Sequence, residues 1–373
     1  MERATGTYKT HDSGEIKYNS FVPASLPPTP DLVYDAELRL LVGEANFTVG
    51  TLNGVIGAIP DRSVFMAAFV RKEALISSII EGVRATIENV FDANADQSRN
   101  LDVEEVVNYV KAMDHAKELR QEVPLCSRFI RAIHAVLMSG TRGAQQLPGE
   151  FRRSQNWIGH AGATIKTASY IPPDPEDMAI AMDALERYMN TDDGTDPFVK
   201  AALIHAQFET IHPFLDGNGR VGRMLLILYL VERKVLAEPV LYLSHFLKEN
   251  RAEYYQRLDS IRVKGDFEGW VKFILRAIID VASSGYRDIL FLSELHSRNL
   301  QSIETKDKEL FLLVERYLIL DATFAAKKLG RPYATVNRGM LRLVEAGILS
   351  VTQPSKKART YTYSNYLDVL RFE

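Results

Sequence analysis

The chain has 373 residues, long enough for two or three domains, and its 46% hydrophobic content suits a sizeable core. With 45 Lys and Arg against 48 Asp and Glu, the formal net charge of −3 gives no global pull toward nucleic acid or anionic membrane. The single cysteine, Cys126, excludes an internal disulfide, and no apolar run approaches the ~20 residues of a membrane-spanning helix.

Cys126 sits in Val123-Pro124-Leu125-Cys126-Ser127 with no local partner and reads as a buried thiol, not a nucleophile. The polar stretch from Met1 to Ser20 lacks the apolar core of a signal peptide, so a reducing, cytoplasmic location is expected. Residues 1–30 read as an extended arm, because Pro23, Pro27, Pro28 and Pro30 cannot lie inside a helix. Helical periodicity begins near Leu32, weakens around Gly50 and Gly54, and breaks at Pro60. Residues 72–90 predict an amphipathic helix with Leu75, Ile76, Ile79, Ile80, Val83, Ile87 and Val90 on one stripe. Ser77, Glu81, Arg84 and Glu88 lie away from that stripe.

Further helices are predicted at 101–118 and 127–139. Two short extended pieces, 149–159 and 163–167, joined through Gly159 and Gly162, predict a hairpin that Pro172, Pro173 and Pro175 close. Helices resume at 176–190, 197–211 and from about Asn218 to Lys234, followed by 245–262 and 266–300. From about Thr305 the chain reads as a separate unit. A helix runs to Leu320, then Thr323–Leu329 and Pro332–Leu349 have the cadence of a helix-turn-helix. Two strands, 350–352 and 360–363, bracket a basic tip with Lys356, Lys357 and Arg359, and the whole resembles a winged helix.

The chemistry concentrates in His212-Pro213-Phe214-Leu215-Asp216-Gly217-Asn218-Gly219-Arg220-Val221-Gly222-Arg223. Pro213 stops the preceding helix at His212, which fixes the histidine at a rigid terminus. Its imidazole, with an ordinary pKa near ~6.5, is available as a base at neutral pH. Gly217, Asn218 and Gly219 open the next helix, where backbone amides attract anions. Arg220 and Arg223 add guanidinium donors suited to phosphate oxygens. Asp216 beside bound phosphates makes sense as a Mg²⁺ ligand, since a bare carboxylate there would repel the ligand. No His-Glu-x-x-His pattern and no Gly-Lys-Ser/Thr phosphate loop is present.

This stretch resembles the full signature of the Fic family, His-x-Phe-x-(Asp/Glu)-Gly-Asn-Gly-Arg-x-x-Arg, and every fixed position matches. Residues 151–159 resemble the family's flap, and Asn250, in Lys248-Glu249-Asn250-Arg251, resembles the segment beside the nucleotide. The resemblance covers roughly residues 70–270. It implies a mainly α fold, a Fic-type helical core with a small β-hairpin flap plus a C-terminal winged helix. The domains implied are 1–120 with the helix 72–90, the core 121–300 with the flap 149–172, and the winged helix 305–373.

By the same resemblance the activity is protein adenylyltransfer, moving AMP from ATP onto a Ser, Thr or Tyr hydroxyl of a target protein. His212 would take the hydroxyl proton, Asp216 would hold Mg²⁺, and Gly217, Asn218, Gly219, Arg220, Val221, Gly222 and Arg223 would bind ATP. The flap would hold an extended target segment by backbone pairing. Upstream, Ser77-Ser78-Ile79-Ile80-Glu81-Gly82 resembles the inhibitory pattern Ser/Thr-x-x-x-Glu-Gly/Asn. Ser77 and Glu81, one turn apart, would reach the same neighbour, and Glu81 would pair with Arg223 and hold the enzyme off in cis.

Three readings stay open beside this one. Glu81 and His212 can instead remove AMP from a modified target. Some relatives transfer other phosphate-containing groups. Arg338, Arg342 and the basic wing tip can meet DNA phosphates in a regulator with a vestigial nucleotide site, although the overall charge favours a protein-interaction or homodimerisation role for the winged helix. No membrane partner is expected.

Overall fold

The structure, a computed structural model, describes residues 3–12, 14, 16–59, 62–93, 100–160, 162–352 and 359–371. It is mainly helical, as expected. The wing-tip residues Lys356 and Lys357 lie outside the described residues.

The N-terminal arm differs from the expectation. It folds as an antiparallel hairpin of β1 (Gly6–Asp12) and β2 (Lys17–Pro23). Phe21 is buried, and its N–H donates to the Ile171 carbonyl at 2.9 Å, so the hairpin seats against the end of the flap. Helix α1 (Ala36–Ala58) runs unbroken through Gly50 and Gly54. Leu38, Leu41, Ala45, Val49, Leu52 and Ile56 form its buried stripe, while the glycines face open space. Burying that stripe outweighs the ~1 kcal/mol that each glycine costs a helix.

Helix α2 (Ser63–Ile80) starts earlier and ends sooner than the predicted 72–90 helix. Gly82, at φ +95°, turns the chain at the point where the apolar spacing alone reads straight through. A short helix α3 (Ile87–Phe91) follows, capped reciprocally by Thr86 and Asn89. Ser77 does not lie on an outer face of α2, because Ser77 and Ser78 are fully buried. Helices α4 (Leu101–Leu119) and α5 (Ser127–Leu137) agree with expectation. Cys126 caps α5 and is half-buried, not enclosed.

The flap region, 149–172, is a loop and not a two-stranded hairpin. Its only ladder contact among the described residues is the Ile158–Tyr170 bridge. Helices α6 (Pro175–Asn190), α7 (Pro197–Ile211) and α8 (Asn218–Glu232) follow. Every α7 residue from Phe198 to Ile211 is buried, which makes α7 the axis of the core. The predicted 245–262 helix is two helices, α9 (Leu243–Glu249) and α10 (Arg251–Lys264), broken at Asn250. Helix α11 (Phe267–Ser302) runs 36 residues and packs along α1 and against α7.

At the C-terminus, α12 (Lys308–Tyr317) stops short of Leu320, because Leu318 adopts φ +58° and leads into β3 (Ile319–Asp321). Helices α13 (Ala322–Leu329) and α14 (Tyr333–Glu345) form the helix-turn-helix. Strands β4 (Ser350–Thr352) and β5 (Thr360–Thr362) complete a sheet in the order β3-β5-β4. A last helix, α15 (Ser364–Leu370), had no expectation in the sequence. This unit packs on the N-terminal helices. Ala93 N–H donates to the Ile319 carbonyl at 2.9 Å, Arg371 pairs with Glu88 at 2.9 Å, and Arg71 reaches the Arg316 carbonyl at 3.0 Å.

Candidate active site

Helix α7 ends where Pro213 requires it to. His212 is the C-terminal cap in the left-handed region, φ 51° and ψ 62°, a costly conformation for a residue with a Cβ. Two side chains from the flap hold it there. Arg152 donates from Nε to the His212 carbonyl at 3.0 Å, and Asn156 donates to the same oxygen at 3.2 Å. Arg152 is 1% exposed and also reaches the carbonyls of Ile211, Pro173 and Ser154. One buried guanidinium therefore ties the flap to the helix end.

The next turn is fixed from within. Phe214 is fully buried and stacks on His134, with ring centroids 3.7 Å apart. Asn218 spans the turn with both ends of its amide. Its Oδ1 accepts from Phe214 N–H and its Nδ2 donates to the Phe214 carbonyl, each at 2.8 Å. His134 accepts from Gly149 N–H at Nδ1, which leaves Nε2 to donate to the Asp216 carbonyl at 3.1 Å. Burial pushes the His134 imidazole down to about 4, so it stays neutral in this bridge.

Gly217, at φ +77°, caps α8. The first helical bond of α8 joins Val221 N–H to the Gly217 carbonyl, so the amides of Asn218, Gly219 and Arg220 lie ahead of it. The Asp216 carboxylate stands half-exposed at this end, with Oδ1 accepting from Gly217 N–H at 2.6 Å. It is an acceptor-only group with lone pairs to spare, as a hard cation requires. No cluster of three or more His, Cys, Asp or Glu side chains suited to a metal occurs among the described residues. The donor set therefore fits an ion that shares one protein carboxylate with phosphate oxygens, as Mg²⁺ does, and not a cage built wholly from protein.

The two arginines of the motif are both buried but held differently. Arg220 forms a 2.9 Å ion pair with Glu105 of α4 and touches the Met138 sulfur. Arg223 donates from Nε to Ser77 Oγ at 2.9 Å, and from Nη2 to the Ser77 carbonyl at 2.9 Å and to Glu81 Oε1 at 2.7 Å. The Glu81 carboxylate also crowds the first turn of α8, where a Cβ added at Gly219 would stand 2.3 Å from Oε1. Arg223 opposes burial and holds the Glu81 carboxyl below its ordinary range, so the pair is ionised. Val221 and Gly222 are buried and carry the helix packing.

The His212 imidazole is pushed down to about 4 by burial and by the Arg152 guanidinium, against the pull of the Glu209 carbonyl. It is neutral at pH 7 and able to accept a proton. A cavity of about 510 Å³ opens between the flap and α10 and reaches α7 at Glu209. Ile158, Tyr170, Glu209, Tyr255, Leu258 and Arg262 are among its walls. Asn250 is not. Its amide turns back onto the Phe246 carbonyl at 3.0 Å, at the α9–α10 break. A larger recess of about 930 Å³ lies between Ile87, Phe291 and Val369; Ile79 of α2 lines it, and no residue of the 212–223 stretch does.

His212, Asp216–Arg223, Ser77 and Glu81 are thus brought together, with Gly82 as the turn that ends α2. Arg152, Asn156, His134, Glu105, Glu209 and Arg262 had no sequence signal as site residues. Arg152, Asn156, His134, Glu105 and Arg262 act on partners tens of residues away, which spacing cannot reveal. On the winged helix, Arg342 is engaged with Asp307 through two bonds of 2.7 and 2.6 Å, while Arg338 and Arg359 are exposed.

The Fic/DOC family model matches residues 124–230, and the Fic/DOC family N-terminal model matches residues 39–118. The protein adenylyltransferase Fic of Drosophila ananassae is 35% identical over 128 residues, 34% of this chain and 22% of that protein. Its Drosophila erecta counterpart is 32% identical over 174 residues, 45% of this chain and 32% of that protein. The matched segment therefore spans at most about a third of these relatives. In fold, the chain is similar to a Fic family protein from Desulfovibrio desulfuricans G20, with a TM-score of 0.59 and 21% identity, covering 90% of this chain and 98% of the other. It is also similar to a Fic domain containing signaling protein from Bacteroides thetaiotaomicron VPI-5482, with a TM-score of 0.51 and 18% identity, covering 65% and 96%.

Proposed function

The chain belongs to the Fic/DOC family, with the Fic N-terminal domain ahead of the motif, and we propose that it is a protein adenylyltransferase held off in cis by Glu81. ATP would lie with its phosphates at the N-terminus of α8 and its nucleoside in the cavity beneath the flap. The target hydroxyl oxygen attacks the α-phosphorus, and its proton passes to the neutral His212 imidazole. The bond from that phosphorus to the bridging oxygen breaks, and pyrophosphate leaves. First-turn amides of α8, Arg220 and Arg223 meet the charge on the phosphates. Mg²⁺, held by Asp216 together with phosphate oxygens, would supply further charge neutralisation. The flap offers backbone pairing to an extended target segment.

The observation that carries this reading is the Glu81 carboxylate. It is an anion of the chain itself, bound by Arg223 at 2.7 Å and packed on Gly219, in the place a phosphate would take. Displacing it frees both the arginine and the helix end. The test is label transfer from α-labelled ATP. Strong labelling by Glu81→Gly, weak labelling by the wild type and none by Glu81→Gly/His212→Ala support the reading. Equal labelling by wild type and Glu81→Gly would sink the cis lock.

A second reading rests on the same carboxylate. Glu81 is ionised and within electrostatic reach of His212. It can align a water for removal of AMP from a modified target, with His212 returning the proton. Release of AMP from a pre-modified target, lost in Glu81→Ala, would favour that direction. For the winged helix we propose a protein contact, because Arg342 is already spent on Asp307. Strongly salt-dependent binding of the full chain to duplex DNA would overturn this. A reducing, cytoplasmic setting suits the lone thiol.

A further inference from the structure

Helix α2 turns two different faces to its surroundings. Glu73, Ser77 and Glu81 follow one another at four-residue spacing and face the core, where Glu73 accepts from Ser244 N–H at 3.1 Å and the other two meet Arg223. Phe65, Lys72 and Ile79 recur at seven-residue spacing on the adjacent face, toward α11 and the winged-helix unit. Phe65 stacks on Tyr366 of α15, with ring centroids 6.2 Å apart. Lys72 is 4% exposed, and its ammonium reaches the Val369 carbonyl at 3.5 Å and Asp288 of α11 at 3.7 Å. A buried ammonium has to be met by acceptors, and α15 supplies one of them. Beside it, Arg71 donates to the Arg316 carbonyl of α12 at 3.0 Å.

The same unit grips the chain again beyond Glu81. Arg371 pairs with Glu88 at 2.9 Å, and Ala93 N–H donates to the Ile319 carbonyl at 2.9 Å. Glu81 therefore lies between two sets of winged-helix contacts. Between those sets the seam is open, because the 930 Å³ recess separates Ile79, Thr86 and Ile87 from Phe291, Val369 and Arg371. Gly82 turns the chain there at φ +95°, and a Cβ added to it would meet nothing within 4 Å.

We propose that the winged-helix unit is a clamp on the inhibitory segment, and that its docking on α2 and on residues 88–93 sets how firmly Glu81 holds Arg223. This rests on the proposed cis lock and names what regulates it. With the unit docked, α2 is pinned from both faces and the Glu81 carboxylate stays on the guanidinium. With the unit drawn away, Arg71 and Lys72 lose acceptors that only α12 and α15 provide, and Lys72 regains water by moving outward. That movement carries Ser77 and Glu81 off α8, since all lie on one rigid helix or at its cap. The Arg371–Glu88 pair is half-exposed, and such pairs are weakly held and screened by salt. A competing protein contact on the winged helix can therefore open the seam and act on the distant nucleotide seat through α2.

The test is label transfer from α-labelled ATP by the full chain carrying Arg71→Met and Arg371→Glu, two changes outside the nucleotide seat. Transfer should rise about fivefold or more over the wild type. The same two changes added to Glu81→Gly should leave its transfer unchanged. Arg371→Glu alone should give part of the rise, and adding Glu88→Arg, which restores the ion pair with its charges exchanged, should remove it. Exchange of the Ala93 amide should quicken in the double variant, as its acceptor on Ile319 draws away. Transfer at the wild-type level in the double variant would overturn the inference, with or without that quickening, while strong transfer by Glu81→Gly keeps the cis lock in place. An equal rise in the Glu81→Gly background would also overturn it, because the seam would then act elsewhere than through Glu81. Equal transfer by wild type and Glu81→Gly would overturn the lock, and this inference with it.

Discussion

Glu81 and Arg223 stand 142 residues apart in the chain and meet at 2.7 Å, one at the C-terminal cap of α2 and the other in the second turn of α8. Arg223 is buried to within 2% of its side chain and Glu81 to within a third. Breaking such a pair from one side leaves a charge without its partner, at a cost of about 3 kcal/mol, although Ser77 retains two bonds to the guanidinium. Glu81→Gly should therefore raise label transfer from ATP by about tenfold or more while lowering Tm. Differential scanning calorimetry beside the labelling assay checks the pairing of gain and loss. A variant that loses stability without gaining transfer would show that Glu81 is only structural.

The His212 imidazole offers a pH test. With its folded value pushed down to about 4, the neutral base persists far below the ordinary ~6.5 of histidine. In Glu81→Gly, single-turnover transfer should hold its rate down to about pH 5 and fall with an acid limb near 4. An acid limb at 6.5 would mean that the burial described here does not govern the working enzyme.

Stability should follow the same groups with both signs. His134, His205 and His212 are depressed to about 4, 3 and 4. The unfolded chain binds their protons first, so their contribution is full above ~6.5 and is lost as pH falls toward 4. Glu73 and Glu209 are raised to about 7, so their contribution is present below ~4.5 and is lost as pH rises toward 7. Three histidines against two carboxyls leave a shallow rise from about pH 4.5 to 6.5 and a steep loss below it. Urea midpoints measured from pH 4 to 8 should peak near 6 to 6.5.

Arg152 is expected to act through the His212 backbone. Arg152→Met removes the guanidinium strap from the flap to the α7 terminus and leaves the Asn156 amide, the Tyr170 hydroxyl on the Thr210 carbonyl and the backbone bond from residue 152 to Pro213. In the Glu81→Gly background, kcat should fall at least tenfold while ATP affinity changes little, because the phosphate seat on α8 is untouched. A matching loss of ATP affinity would place Arg152 in nucleotide binding instead.

The Glu105–Arg220 pair carries a comparable expectation. Both side chains are buried, so Glu105→Ala removes the 2.9 Å partner of the guanidinium, leaves it the half-exposed Asp216 carboxylate at 4.0 Å, and should cost about 3 kcal/mol. Glu105→Gln keeps a hydrogen-bond acceptor and should cost less. In the Glu81→Gly background both should raise the KM for ATP, since Arg220 would lose its orientation. Denaturant titration and initial rates separate the two effects.

By itself the sequence determined the chemistry and its order. His212 at a helix stop, glycines at the next helix start and arginines one turn apart are local facts, set by φ restrictions and by the 3.6-residue repeat. The helical class, α4 to α8 and the helix-turn-helix followed from local periodicity as well. Tertiary structure decided what depends on partners far along the chain. Helix α1 survives its glycines because α11 covers its apolar stripe. Ser77 is buried although its spacing places it off the apolar face, because Arg223 waits on that side. The flap pairs through one bridge, and its Arg152 and Asn156 side chains reach the α7 terminus instead of solvent. The pattern from Ser77 to Gly82 leads to the expectation that Glu81 pairs with Arg223, and the fold brings the two to 2.7 Å. A motif fixes which groups are available, whereas burial in a shared core fixes which of them meet, and only the fold brings the Glu81 carboxylate onto Arg223 and Gly219 at the start of α8.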